Sequence, residues 1–196
     1  MIYIGVTGHR FLTEKDKLVN SIDRVLKKIK ETYQNQNFTI ISPLAEGADR
    51  LITIEALKIL KAKLFVTLPL PESDYLRDFK TKESKEEFLT LLEKANKKMP
   101  LIKTVIREKS YEEAGNYIVN NCDILLAIWD GEKEQGIAGT ASIVKKARSL
   151  LKPVIIIYAG NRIPGTEEPI SLGKKQGKIK FERFPIAIMK DIKSKK

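Results

Sequence analysis

The chain has 196 residues, 42% of them apolar and 31% charged, which fits one globular domain with a buried core. No 18-residue apolar run is present, the first residues read as a strand without the flanks of a secretion signal, and the single Cys122 excludes an internal disulfide. The formal charge is +11, of which residues 174–196, with nine basic and two acidic side chains, hold +7.

The first apolar run, residues 2–7, predicts a strand that gives way to Thr7-Gly8-His9-Arg10. Leu18, Ile22, Val25, Leu26 and Ile29 follow at helical spacing, with Thr13 and Asp16 as a candidate capping box. A second strand at 38–42 leads through Ala45-Glu46-Gly47-Ala48-Asp49-Arg50 into a helix carrying Leu51, Glu55 and Leu57. After a third strand at 63–68 comes a long connection with Pro69, Pro71, Asp74, Tyr75, Asp78 and Phe79, of the kind that folds over a pocket as a lid. Phe88, Leu91, Leu92 and Ala95 mark a third helix, residues 101–107 a fourth strand and residues 114–119 a fourth helix. The strand at 124–129 runs into Trp129-Asp130-Gly131, and after a polar stretch Gly139-Thr140 opens a helix over 140–151. A strand at 153–158, a surface loop at 160–177 and a short final strand at 184–189 complete the chain.

The strands are rich in Val, Ile and Leu and scarcely alternate, as strands buried on both faces do. Their alternation with helices predicts an α/β, Rossmann-like doubly wound, mostly parallel sheet of about six to seven strands with helices on both faces. Residues 1–196 then form a single nucleotide-binding domain with a basic C-terminal segment at 174–196. The absence of a membrane span or export signal makes a cytoplasmic protein the default.

Three glycine-bearing turns sit where a strand gives way to a helix. In such sheets ligands bind outside the carboxyl ends of the strands, where free helix N–H groups favour anions. Thr7 and Gly8 end the first strand, and Arg10 is placed either to meet an anion or to pair with a nearby acid. His9, the single histidine, reads as structural or catalytic. Glu46, beside Gly47, either holds a ribose hydroxyl or stabilises the helix dipole. Asp49 and Arg50 are expected to pair with each other and hold that loop. Gly139 and Thr140 offer N–H groups and a hydroxyl to phosphate, or Thr140 is a plain N-cap. Asp130, next to Gly131, holds ribose or ends the strand, and Trp129 packs. No G-x-G-x-x-G fingerprint and no Cys/His cluster occurs, so neither a nicotinamide cofactor nor a metal is expected, and no cofactor is assigned.

At Thr7-Gly8 and Gly139-Thr140-Ala141 the chain resembles the SLOG superfamily of DprA/Smf-like and LOG-like Rossmannoid proteins, YpsA-like members above all. The resemblance covers about residues 1–160 and implies a nucleotide or nucleotide-derived ligand and a homodimer. Its members include cytokinin-activating phosphoribohydrolases, DNA-binding DprA proteins and sensor domains for NAD-derived signals. Carried over from the LOG-like enzymes, the arginine before the helix falls on Arg107. Their Pro-Gly-Gly-x-Gly-Thr becomes Trp129-Asp130-Gly131 with an insertion before Gly139-Thr140. Their carboxylates fall on Ser142 and Ile143, which cannot act as acid or base, leaving Glu46 or Asp130 as substitutes.

Three functions follow as expectations. The first is a sensor or regulator binding an ADP-ribose-like or mononucleotide ligand through Thr7, Gly8, Arg10, Glu46, Gly47, Asp130, Gly131, Gly139 and Thr140, with Tyr75 and Phe79 covering the base. The second is a nucleoside 5'-monophosphate phosphoribohydrolase with Glu46 and Arg107 as catalytic residues. The third is weak nucleic-acid contact through the basic tail at 174–196.

Overall fold

The computed structural model describes residues 1–100, 106–132 and 139–185. The chain-order elements are β1 (Ile2–Gly8), α1 (Lys15–Thr32), β2 (Phe38–Ser42), α2 (Ala48–Ile59), β3 (Lys63–Leu68), α3 (Glu72–Tyr75), α4 (Lys82–Glu93) and β4 (Lys97–Pro100). They continue with α5 (Arg107–Asn121), β5 (Ile124–Trp129), α6 (Thr140–Ser149), β6 (Val154–Tyr158) and β7 (Ile179–Glu182). All seven strands form one sheet in the order β4-β3-β2-β1-β5-β6-β7. Every neighbouring pair is parallel except β6–β7. The expected doubly wound, mostly parallel α/β fold is the one observed.

The central strands are apolar on both faces because both faces are covered. Along β5, Ile124, Leu126 and Ile128 pack with α1 and α2, whereas Leu125, Ala127 and Trp129 pack with α5 and α6. Period-2 geometry sends alternate side chains to opposite layers, so an unbroken apolar run is what this position requires. The buried stripe of α1, Leu18, Ile22, Val25, Leu26 and Ile29, is the one the helical spacing predicts. Among the described residues no helix is long and apolar enough to cross a membrane.

The chain steps outward from β1 through β2, β3 and β4, then returns to lay β5 on the other side of β1. The connections on either side of this switch leave to opposite faces. A crevice therefore opens at the carboxyl ends of β1 and β5, between Gly8 and Trp129.

Several expected boundaries move. The fourth strand lies at Lys97–Pro100, ahead of 101–107; residues 101–105 are outside the described residues and Arg107 is the first residue of α5. Asn96 sets this earlier register, since its N–H donates to the Leu64 carbonyl and its Oδ1 accepts the Leu64 N–H. The final strand lies at Ile179–Glu182, antiparallel to β6, so residues 174–182 belong to the sheet and its approach and not to a free tail. Of the strand expected at 184–189, Phe184 is buried outside any strand and residues 186–189 are outside the described residues, as are 190–196. Thr13 and Asp16 make no capping box: Glu14, at φ 51°, precedes α1, and the Thr13 carbonyl instead accepts from Gln176 Nε2.

Candidate functional site

The turn after β1 and the start of α2 are built against each other. A Cβ on Gly8 would press on the Ala48 Cβ and come within 2.5 Å of the Ile128 carbonyl oxygen. Gly47 adopts φ 80° and ψ −118°, and a Cβ there would collide with the carbonyl oxygens of Arg10 and His9. Only glycine fits such a conformation without strain. The Ala48 N–H donates to the His9 carbonyl at 3.0 Å, so the first loop itself occupies part of the positive end of α2. These two glycines serve close backbone packing, a reading that sequence spacing alone does not separate from ligand approach.

Asp49 and Arg50, expected to pair, are drawn apart. Arg50 is buried and reaches the Leu44 carbonyl at 3.0 Å, the Ser84 carbonyl at 2.8 Å and Glu87 at 3.0 Å. Its guanidinium stacks 4.3 Å from the Phe79 ring centroid. It staples the 43–47 loop to α4. Asp49 takes the Ala45 N–H on its carboxyl, and its Oδ1 has no partner among the described residues. Burial pushes this carboxyl up to about 8 against the opposing pull of the Ala45 amide, Arg10 and Arg50.

This shift has a sign that can be measured. An aspartate freed by unfolding titrates near 3.8, so between about pH 4 and 8 the folded chain holds a proton the unfolded chain has released. Stability from this group is therefore full below about pH 4 and declines as pH rises toward 8. Asp49→Asn abolishes the titration. Denaturant unfolding at both pH values should show the variant gaining on wild type by several kcal/mol, up to about 5, at the higher pH. A difference that stays constant across the window would mean an ordinary aspartate.

Glu46 accepts from the Ser84 hydroxyl, and its other oxygen lies 3.9 Å from Arg10 Nε. Across the switch, His9 is buried and bridges to β5. Its Nε2 lies 3.0 Å from the Asp130 backbone nitrogen, which donates to it, and 3.1 Å from Asp130 Oδ2. The nitrogen satisfies one of these at a time: a bare Nε2 accepts the amide, a protonated one donates to the carboxylate. Burial raises the Asp130 carboxyl, but the His9 contact and the Glu132 N–H at 2.9 Å outweigh it and hold it below the usual range. Asp130 is thus a carboxylate at neutral pH. Trp129 is buried, with the Arg148 guanidinium 5.6 Å from its ring centroid.

The start of α6 is more open. A Cβ on Gly139 would meet nothing within 4 Å. The Thr140 and Ala141 N–H groups have no backbone partner among the described residues. No acid stands in the first turn of α6, whereas α1, α2, α4 and α5 carry Asp16, Asp49, Glu83 and Glu108 there. Among the described residues, none in its first turn offsets its positive end.

Thr7, Gly8, Arg10, Glu46, Asp130, Gly139 and Thr140 all line one cleft of about 760 Å³ at the switch point. Gly47 and Gly131, both at positive φ, shape the adjoining loops without lining it. Arg107, expected beside the chemistry, is not on the wall either. Its guanidinium is held by Asp78 and, at 3.4 Å, by Asp74, while Tyr111 donates to Asp78. It fastens the connection after β3 to α5. That connection is not a lid: Tyr75 and Phe79 are fully buried, edge to face at 5.1 Å between centroids, and both contact the Phe88 ring.

The loop at 160–177, read as plain surface, supplies a further wall through Gly160, Asn161, Arg162, Pro164 and Ile170. Buried Gln176 locks it in place. Its Oε1 accepts from the Gly160 and Leu172 N–H groups at 3.0 and 3.1 Å, and its Nε2 donates to Thr13. Arg162 lies over the Phe11 ring at 5.1 Å, adding a second cation to the Arg10 side of the cleft. Glu167 reaches Lys80 at 2.6 Å and links this loop to the segment before α4. The glycines and prolines of the loop were a signal of shape; its place at the cleft depends on Gln176, over 160 residues from Thr13. Among the described residues no group of three or more His, Cys, Asp or Glu side chains is arranged to hold a metal.

No family model matches this chain, and no curated protein matches it significantly. A solved structure of a structural-genomics target, TM1055, is similar over 79% of this chain and 72% of its own, at 15% identity and a TM-score of 0.48. Such a likeness concerns the α/β fold alone.

Proposed function

We propose that this protein binds a nucleotide or nucleotide-derived ligand, ADP-ribose-like or a nucleoside monophosphate, in the switch-point cleft as a sensor or regulator. The observation that carries this reading is the meeting of four separate segments around one cleft: the β1 end, the 43–47 loop, the β5 end and the start of α6, whose first turn holds no acid. Two cations and a helix start without an acid in its first turn suit phosphate. Arg10 and the N–H groups at Gly139 and Thr140 hold it, with Thr7 and Gly8 forming the floor. Glu46 and the ionised Asp130 accept from ribose hydroxyls. The resemblance to SLOG proteins at Thr7-Gly8 and Gly139-Thr140-Ala141 supports the same ligand class and extends the reading to a cytoplasmic homodimer.

Thermal unfolding against nucleoside monophosphates, ADP-ribose, its cyclic forms and NAD tests it. A ligand at about a hundred times its dissociation constant adds roughly 2.7 kcal/mol, a shift of several degrees in a domain of this size. No shift with any member removes the reading.

One observation favours hydrolysis of the N-glycosidic bond as a second reading: two carboxylate side chains, Glu46 and Asp130, line the same cleft. Such an enzyme releases free base from a nucleoside monophosphate, which chromatography detects. Glu46→Gln is then expected to stop release while largely sparing binding. Equal loss of both would make Glu46 a ligand-holding residue only.

A further inference from the structure

Four buried side-chain polar atoms among the described residues have no hydrogen-bond partner, and two of them, Asp49 Oδ1 and Tyr75 Oη, belong to residues that line the cleft. Asp49 is 6% exposed and Tyr75 is 0% exposed. Native folds leave few such groups unpaired, because each forfeits its hydration without compensation. Two of them therefore belong to residues of one cleft wall, where a bound molecule is the partner the fold itself does not supply.

Their surroundings specify that partner. Pro43 and Pro69 follow the carboxyl ends of β2 and β3, and Tyr111 stands on α5 with its ring centroid 6.2 Å from that of Tyr75. All three line the cleft. This is the side of the switch toward β2 and β3, whereas Asp130, Gly139 and Thr140 come from β5 and the turn beyond it. Apolar and aromatic walls with a few convergent polar atoms suit a flat heteroaromatic ring. Burial also keeps the Asp49 carboxyl neutral at pH 7, so it does not repel an anionic ligand and can donate from Oδ1.

We propose that Asp49 and Tyr75 read the base: Asp49 Oδ1 and Tyr75 Oη hydrogen-bond the ring-nitrogen or carbonyl edge of a nucleobase at the β2–β3 end of the cleft. This inference rests on the nucleotide-binding reading above. Besides burial, the groups that set the Asp49 charge are the Ala45 N–H, Arg10 from the turn after β1 and Arg50 from its own helix, and Asp49 in turn acts on Tyr75 from α3. Tyr111 and Asp78 act on Tyr75.

The test is calorimetric affinity of the four common nucleoside monophosphates and of ribose 5-phosphate for wild type, Asp49→Leu and Tyr75→Phe. Wild type is expected to bind at least one monophosphate tenfold or more tighter than ribose 5-phosphate. Each variant should collapse that ratio toward one while ribose 5-phosphate affinity holds. Tyr75→Phe keeps the ring packing, so it decides the matter if Asp49→Leu does not fold. The same ratio in wild type should fall as pH rises through about 8; a rise would mean a carboxylate acceptor and overturn the proposed donor. A ratio unchanged in Tyr75→Phe, or no monophosphate exceeding ribose 5-phosphate, overturns base reading while phosphoribosyl binding stands. Failure of all of these and of ADP-ribose to bind removes the nucleotide reading itself.

Discussion

Gly47→Ala should lower the stability of this domain by about 3–5 kcal/mol. Two costs combine. At φ 80° and ψ −118° a Cβ is strained in any surroundings, at roughly 1–3 kcal/mol. The added carbon also meets the carbonyl oxygens of Arg10 and His9, which are backbone and cannot swing aside as a side-chain end would. The His9 carbonyl is already committed to the Ala48 N–H, and the His9 N–H to the Ile128 carbonyl at 3.0 Å, so retreat breaks the joint between β1, β5 and α2. Against a total of about 5–15 kcal/mol for a typical domain, the loss is a large share. A melting temperature lower by roughly 10 °C or more is the expected reading. An unchanged melting point would mean that the loop relaxes freely and that Gly47 is not held where the geometry puts it.

Thr140→Glu should leave the fold intact and weaken binding of a phosphorylated ligand by roughly a hundredfold or more. The position is partly exposed at the first turn of α6, where an acid favours the helix dipole by about 0.3–1 kcal/mol. Stability should therefore hold or rise slightly. The carboxylate meanwhile competes for the same N–H groups and repels the phosphate proposed to sit there. Stability and affinity moving in opposite directions is a pattern that a general packing defect does not produce. Affinity equal to wild type in calorimetry would take the α6 start out of the phosphate site.

The alternation of apolar runs and helical stripes determined the fold class, because each signal is local. A run such as residues 124–129, apolar at every position and of strand length, suits the middle of a sheet covered on both sides, and that is where β5 lies. The same locality brought Thr7, Glu46, Asp130 and Thr140 into view, since strand ends in a parallel sheet face one edge. Tertiary structure decided what those residues can do. Gly8 and Gly47 are glycine because the β1 turn and the α2 start touch, and Arg107 is spoken for because Asp74 and Asp78 fold back onto α5. Asp49 is neutral only because its surroundings exclude water, and the 160–177 loop becomes a wall only because Gln176 finds Thr13. Each of these depends on partners brought together by strand order, and the energy of a buried charge or a backbone contact is set by those partners rather than by the residue type.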